Sequence, residues 1–241
     1  MSGTVDEQVH GVSADAGPPA RRSRGQAVLG VVGEVLITAG VIVLLFVVYQ
    51  LFWTNVEAQR RSDALTQDLR RSWELPARPP AGPAATQAPG GSSPRLPGGA
   101  LALMRIPRLG ADWVQPVVAG VSLPDLAKGI GHYPQTARPG EVGNFAVAGH
   151  RATNGEPFRD IDRLRRGDRV IVETRRAVYT YVLDRHMIVN PQDVWVLEPV
   201  PGQPRATPTR RLITLTSCEP RWASYQRWIV FGHLESTRLR P

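Results

Sequence analysis

A single cysteine, Cys218, carries the most evident chemical potential in this sequence of 241 residues. It closes an apolar, β-branched run that begins at Leu212 and is typical of a strand. Glu219 and Pro220 follow, and because proline lacks a backbone donor, the predicted strand ends close to Cys218. One cysteine cannot form an internal disulfide, so this side chain is either a small buried apolar group or a reactive thiol.

A reactive thiol needs a proton-transfer group, because the thiolate is the nucleophilic form. The histidines that could provide it are His132, His150, His186 and His233. His186 and His233 lie inside strand-like runs, which favours ordinary surface or core positions. His132 and His150 each follow a glycine at the end of a predicted element, where functional residues often gather. The residue types alone do not choose between these two.

Acyl transfer also needs a donor for the oxyanion that develops on the substrate. Arg221 lies in the predicted loop after Cys218, and Arg227 begins the next predicted strand. If these strands form a hairpin, Arg227 returns beside Cys218, where a guanidinium can stabilise a thiolate or bind an oxyanion. A solvated loop position is an equally good interpretation for either arginine. No acidic cluster has calcium-ligand spacing, so neither a metal nor another cofactor is predicted.

The elements that must position these residues are short and lie in a predicted folded domain over residues 100–241. A helix is predicted for residues 123–128, with Ser122 as its N-cap, and a helical turn within residues 156–164. Short strands with Pro- and Gly-containing connections are typical of an all-β closed barrel or sandwich. The strand-like runs are residues 101–106, 113–118, 144–148, 168–173, 177–189, 193–197, 210–217 and 227–234.

The residues before this domain divide into three segments. Residues 1–26 are polar and predict a disordered tail. Residues 27–53 contain an uncharged run from Val35 to Trp53 and predict a transmembrane helix, since about 20 apolar residues cross a bilayer. A cleaved signal peptide is the rival, but its apolar run is normally shorter and ends in small residues. Residues 54–99 predict a juxtamembrane helix followed by a Pro/Gly-rich tether.

The charge distribution predicts where the chain resides. Lysine and arginine number 29 against 21 acidic residues, but they are dispersed, so an anionic membrane or cell-wall surface fits this charge as well as nucleic acid does. Arg21, Arg22 and Arg24 precede the apolar run and predict a cytoplasmic N-terminus. The sequence therefore predicts a single-pass membrane protein with its C-terminal domain outside the cell and no nucleic-acid partner.

Several motifs resemble one known family. The segment from Thr214 to Cys218 resembles the Thr-Leu-x-Thr-Cys motif of sortases, the membrane-anchored cysteine transpeptidases of Gram-positive bacteria. The run that begins at Arg227 resembles the strand carrying the family's arginine. Further similar segments are Gly131 to Pro134, Pro139 to Asn144 and Ala148 to Arg151. The resemblance covers Leu101 to Leu234 and is greatest to class E sortases of actinobacteria.

The resemblance implies a sortase-like closed β-barrel of about eight strands. Cys218 would attack the Thr–Gly bond of a Leu-Ala-x-Thr-Gly-like sorting signal and form a thioester. His150 would protonate the departing amine and then deprotonate the incoming one. Arg227 would orient the substrate carbonyl or stabilise the oxyanion. The implied partners are secreted proteins with a C-terminal sorting signal and a cell-wall precursor amine.

The resemblance also implies substrate contacts near the cysteine, at Tyr133, Thr216 and Ser217. Tyr133 would shape the pocket for the second residue of the signal, or would be an ordinary half-buried tyrosine. Ser217 departs from the family, which usually has threonine there, so the hydroxyl is kept while the restricting methyl is lost.

Two alternatives predict other functions. A pilin-polymerising sortase would often carry a lid and a second membrane helix, and no apolar run after Leu234 is long enough to span a bilayer. A non-catalytic surface-binding barrel would bury Cys218 and leave its thiol inert to alkylating reagents.

Overall fold

The protein is described by a computed structural model over residues 24–74 and 97–240. Its helices are α1 (Arg24–Glu74) and α2 (Leu123–Leu126). Short 3-10 turns lie at Pro97–Gly99, Pro107–Leu109, Ile161–Arg163 and Val194–Leu197. The strands are β1 (Ala100–Arg105), β2 (Val114–Ala119), β3 (Ile130–His132), β4 (Gly143–Ala148), β5 (Arg169–Glu173), β6 (Ala177–Val189), β7 (Arg211–Glu219) and β8 (Gln226–Leu239). Contacts divide the chain into two units, one ending at Tyr49 and one beginning at Gln50.

The first unit contains the apolar part of α1. Val28–Tyr49 has a mean hydropathy of 2.7 over 22 residues, and none of it is buried within the protein. By length and composition this helix can cross a membrane, and it is the one such helix in the described part of the chain. The helix already includes Arg24, inside the predicted tail, while residues 1–23 lie outside the described residues.

In the second unit, eight strands close into a barrel in the order β1-β2-β3-β4-β7-β8-β6-β5. The pairs β2–β3 and β4–β7 are parallel, and the others are antiparallel. Alternate side chains fill the interior, including the fully buried Phe145, Tyr181 and Leu215. The predicted all-β closed barrel is confirmed.

One strand prediction is wrong and one observed strand was not predicted, so the total remains eight. Residues 193–197 were predicted to form a strand, but Val194–Leu197 is a 3-10 turn. Val196 in this turn is buried against Ile229 and Phe231 of β8, so its apolar character serves packing rather than strand pairing. The unpredicted strand β3 (Ile130–His132) has only three residues, one a glycine, and pairs in parallel with β2.

The C-terminal part of α1 packs on the barrel within the second unit. Leu69 is fully buried with Leu103 and Val118, and the hydroxyl of Ser62 donates to Oε1 of Gln115 at 2.9 Å. The juxtamembrane helix is therefore part of the folded body that contains the barrel. The predicted tether falls mostly on residues 75–96, which lie outside the described residues.

Candidate active site

Cys218 and Arg227 lie directly opposite one another on the antiparallel strands β7 and β8. Leu215 and Val230 are also paired across these strands, and both belong to the barrel core. Because side chains alternate along a strand, Cys218 lies on the outer face, opposite to the side on which Leu215 is buried. The thiol is half-buried, so the predicted hairpin brings the cysteine and the arginine together on the outside of the barrel.

His150 reaches the same face through the parallel pairing of β4 with β7. Ala148 is in register with Thr216, and the backbone N–H of Gly149 donates to the carbonyl of Thr216 at 3.1 Å. This bond closes the ladder at the end of β4, so His150 follows two residues beyond the position that pairs with Thr216, near the end of β7 that carries Cys218. The β4 residue Val147 faces the core, and alternation places His150 on the opposite, outer side.

The surroundings of His150 favour the neutral imidazole. Burial lowers the pKa of its half-buried ring, since removing water disfavours the charged form. Its Nε2 atom is buried and has no hydrogen-bond partner among the residues that the structure describes. A buried polar atom without a hydrogen-bond partner is uncommon, which distinguishes this ring from a histidine with an ordinary structural role.

The guanidinium of Arg227 is held by the loop between β7 and β8. Its Nη1 donates to the carbonyl oxygens of Ser224 at 3.0 Å and Gln226 at 2.9 Å. The backbone of Arg227 thus opposes Cys218, while its side chain takes its orientation from the loop. The position of this loop consequently determines where the positive charge lies.

The two residues before Cys218 tie β7 to β4. The hydroxyl of Ser217 donates to the carbonyl of Gly149 at 2.8 Å, and that of Thr216 donates to Val147 at 3.1 Å. Both side chains are buried, at 4% exposure each. The phenol of Tyr133 lies 3.3 Å from the Thr216 hydroxyl. Their predicted substrate contacts stay a prediction, but these bonds show how the β4 end is fixed beside Cys218.

The other candidate histidines have partners of their own. His132 is 4% exposed, and its Nε2 lies 3.0 Å from the carbonyl oxygen of Ala137 and 3.2 Å from Oγ1 of Thr136. Burial is the main cause that lowers the pKa of His132. His186 stacks on Trp228 at 5.0 Å, and Nδ1 of His233 lies 2.9 Å from the Asp184 carboxylate.

Arg151, which contacts the backbone of Cys218, was not singled out from the sequence as a functional residue. Although charged, it is only 7% exposed, and it binds the carboxylates of Asp162, at 3.0 Å, and Glu219. It also donates to the backbone carbonyl of Cys218 at 3.4 Å and lies over the Trp228 ring at 5.6 Å. Arg151, which directly follows His150, therefore connects this part of the chain to the end of β7. Its place in the Gly-His-Arg segment is the one sequence signal for it.

Arg221, the other candidate arginine, is bound to Glu156 at 2.8 Å. No group of three or more His, Cys, Asp or Glu side chains among residues 24–74 and 97–240 could hold a metal ion. The candidate site combines the Cys218 thiol and the Arg227 guanidinium on paired strands with the His150 imidazole just beyond the end of β4, and these are the group types that acyl transfer by a cysteine requires.

The sequence matches the family model of the sortase domain over residues 104–235. The chain belongs to the sortase family. This sortase is 40% identical to Sortase SrtE1 of Streptomyces coelicolor over 229 residues, which cover 91% of this chain and 61% of that protein. It is 32% identical to Sortase SrtE2 of the same organism, with 98% of this chain and 94% of that protein covered.

Solved sortase structures have the same fold. Sortase E from Streptomyces avermitilis aligns with a TM-score of 0.54 at 45% identity, covering 60% of this chain and 95% of that one. Sortase E1 from Streptomyces coelicolor, solved with a tripeptide in its active site, aligns with a TM-score of 0.55 at 40% identity, covering 60% and 93%. The resemblance to class E sortases that the motifs indicated is confirmed, and neither alternative function is favoured.

Proposed function

We propose that this sortase cleaves the Thr–Gly bond of a Leu-Ala-x-Thr-Gly-like sorting signal and transfers the acyl group to a cell-wall amine. The observation that carries the proposal is the direct pairing of Cys218 with Arg227 across β7 and β8, together with the bond from Gly149, the residue before His150, to Thr216 of β7. Family membership supports the reaction class, since sortases are cysteine transpeptidases. The match to Sortase SrtE1 covers 61% of that protein's length, so the activity of this chain is proposed from its own site and is not taken over from that protein.

The proposed reaction has two acyl-transfer steps. His150 takes the proton of the Cys218 thiol, and the resulting thiolate attacks the threonine carbonyl carbon. As the tetrahedral intermediate collapses, the C–N bond breaks and a thioester forms. The glycine nitrogen leaves as an amine after it takes a proton from His150. An incoming amine then attacks the thioester, gives a proton to His150 and restores the Cys218 thiolate as the new amide forms.

The contacts at the site support distinct roles for the two basic residues. Because burial lowers the pKa of His150, the neutral ring predominates near neutral pH and can accept the proton of the second step. Arg227 uses Nη1 to bind the loop, so its other N–H groups would meet the carbonyl oxygen of the substrate. A fixed guanidinium stabilises the developing oxyanion without reorganisation during the reaction.

The proposed substrate pocket adjoins the β4 and β7 ends. Tyr133, whose ring is half-buried and whose phenol reaches Thr216, would shape the pocket for the second residue of the signal. Thr216 and Ser217 would support the floor of this pocket through their bonds to β4. The tripeptide held by Sortase E1 of Streptomyces coelicolor supports a peptide as the ligand.

The proposed location is the outer face of the cell membrane. The apolar helix Val28–Tyr49 would anchor the protein in a single pass. Arg21, Arg22 and Arg24 would keep the N-terminus in the cytoplasm, because basic residues are retained on that side. The barrel would then face secreted proteins and the cell-wall precursor amine.

The test compares full-length wild type with Cys218→Ala in detergent, incubated with a Leu-Ala-x-Thr-Gly peptide. Intact-protein mass spectrometry should show an acyl adduct on the wild type and none on the variant, with similar melting temperatures. An adduct on Cys218→Ala would overturn the assignment. A wild-type thiol that resists iodoacetamide from pH 6 to 9 would instead indicate a non-catalytic barrel.

A further inference from the structure

A strained turn lies four to six residues after His150. Asn154, Gly155 and Glu156 all have positive φ, at 51°, 76° and 48°. This conformation is natural for glycine, but it is uncommon for asparagine and glutamate. Such a backbone persists only where surrounding contacts hold it, so its partners indicate what the turn serves.

The first partner is Asn55 in the C-terminal part of α1. Its Nδ2 donates to Oε1 of Glu156 at 3.1 Å, and its Oδ1 accepts from the backbone N–H of Gly155 at 3.4 Å. The helix packs closely here, since a Cβ on Gly155 would lie 3.6 Å from the Cβ of Ala58. One amide side chain thus binds both the backbone and the carboxylate of the turn.

The second partner is Arg221 in the loop between β7 and β8. Its Nη2 donates to Oε2 of Glu156 at 2.8 Å, and the Glu156 side chain is only 13% exposed. Arg159 lies 3.4 Å from the same oxygen. Charge-assisted bonds to a largely buried carboxylate are among the stronger contacts that a side chain makes. Glu156 therefore bridges the juxtamembrane helix and the loop that follows Cys218.

We propose that Glu156 is a positioning residue through which the juxtamembrane helix sets the orientation of Arg227. The loop that Arg221 anchors also supplies the Ser224 and Gln226 carbonyls that bind the Arg227 guanidinium. A continuous series of contacts thus runs from Asn55 through Glu156 and Arg221 to the loop and Arg227. The inference rests on the proposed function, since it assigns the geometry of that reaction's oxyanion donor.

The inference gives the helix a role in catalysis besides anchoring. Loss of either bond to Glu156 should free the loop and misplace the guanidinium. A displacement of about 1 Å at a catalytic group, caused by a change far from the reaction, can lower the rate by about 100-fold. We therefore expect kcat/KM for peptide capture to fall between about 10-fold and 100-fold. The Cys218 thiol itself remains on β7, so its reaction with a small alkylating reagent should be unchanged.

The experiment uses the full-length protein in detergent with Glu156→Gln and Asn55→Ala. Two variants are matched controls. Glu235→Gln changes a carboxylate on another part of β8 that pairs with Arg169 of β5 at 2.9 Å. Glu57→Ala removes an ion pair with Arg61 on the same helix as Asn55. We expect the first two variants to lose peptide capture while iodoacetamide labelling stays at the wild-type rate. Equal losses in the controls would overturn the proposal.

A double-mutant cycle separates positioning from general destabilisation. In an Arg227→Ala background, Glu156→Gln should have no further effect on kcat/KM, because the residue through which it acts is gone. The full effect of Glu156→Gln in that background would overturn the proposal.

Hydrogen exchange makes the inference independent of the proposed reaction. Glu156→Gln and Asn55→Ala should speed amide exchange in residues 221–226, whereas the two control variants should leave it unchanged. If the wild type captures no peptide, the proposed function fails while this measurement still decides whether Glu156 holds the loop. Unchanged exchange in both test variants would contradict the inference.

Discussion

Two Gly-His segments at neighbouring strand ends have opposite environments. Gly131-His132 ends β3, and Gly149-His150 follows β4, which pairs with β3. Burial lowers the pKa of both histidines. His132 has bonding partners at Ala137 and Thr136, whereas Nε2 of His150 has none among the described residues.

The difference follows from the face that each histidine occupies. His132 is paired with Val147, a core residue, and its ring lies 5.3 Å from that of Phe145 in the barrel interior. His150 lies on the outer face beside Cys218. A buried nitrogen with hydrogen-bond partners is typical of a structural histidine, whereas a buried nitrogen without a partner needs another explanation, such as a functional role. Environment, more than residue type, distinguishes these two histidines.

The largest expected effect is the loss of peptide capture in His150→Ala. Removing the proton-transfer group should lower kcat/KM by about 10² to 10⁴-fold, the usual contribution of general acid–base catalysis. Stopped-flow or quenched assays of acyl-enzyme formation would measure it, with circular dichroism to verify the fold. If His132→Ala loses more activity than His150→Ala at a temperature where both are folded, then His132 and not His150 is the functional histidine.

His132→Ala should instead reduce stability. The substitution removes the partner of the Ala137 carbonyl and leaves a cavity beside Phe145, so the free energy of unfolding should fall by about 1–3 kcal/mol. Denaturant unfolding followed by fluorescence would measure the change. Peptide capture should remain within a few-fold of wild type, and an unaltered unfolding midpoint would show that the His132 bonds contribute little.

Ser217→Ala tests the contact that places His150 beside the cysteine. It leaves the Gly149 carbonyl without its side-chain partner, which should cost about 1 kcal/mol of stability and lower kcat more than KM. Ser217→Thr is the matched variant, because it keeps the hydroxyl and adds the methyl found in most of the family. Equal kinetics for the alanine and threonine variants would rule out a positioning role for this bond.

The smallest expected effect is a pH dependence of stability. Both histidines have a lowered pKa in the folded state, so the unfolded chain binds protons more readily. Their contribution is therefore complete above the ordinary histidine pKa of about 6.5 and is lost as pH falls towards the folded-state values. Melting temperatures from pH 7.5 to 5.5 should decline, and His132→Ala should flatten the decline. A melting temperature that rises as the pH falls through this range would contradict the lowered pKa of the two histidines.

Local patterns were sufficient for much of the fold. The β-branched run before Cys218 and the alternating run from Ala177 to Val189 predicted β7 and β6 because strand composition and side-chain alternation are local properties. Ser122 was predicted as an N-cap, and its hydroxyl accepts from the N–H of Asp125 at 3.4 Å. β3 escaped prediction, since a three-residue strand owes its existence to its partners β2 and β4.

The supports of the site were harder to predict than its reactive groups. Arg151 and Glu156 act through partners that are distant in sequence, namely Glu219 and Asp162 for the first, and Asn55 and Arg221 for the second. Charged side chains on predicted loops are usually solvated, so composition gave no reason to expect buried carboxylate pairs there.

The reactive residue types could be identified from the sequence: one thiol at a strand end, two histidines that follow glycines at the ends of predicted elements, and an arginine that a hairpin returns to the cysteine. The uncharged run of the candidate membrane helix could also be identified, since hydropathy is a property of consecutive residues. Only the tertiary structure decided that His150 lies outside beside Cys218 while His132 lies inside with its partners. That choice depends on the parallel register of β4 with β7 and on the face of each strand end, and neither is encoded within a single local segment.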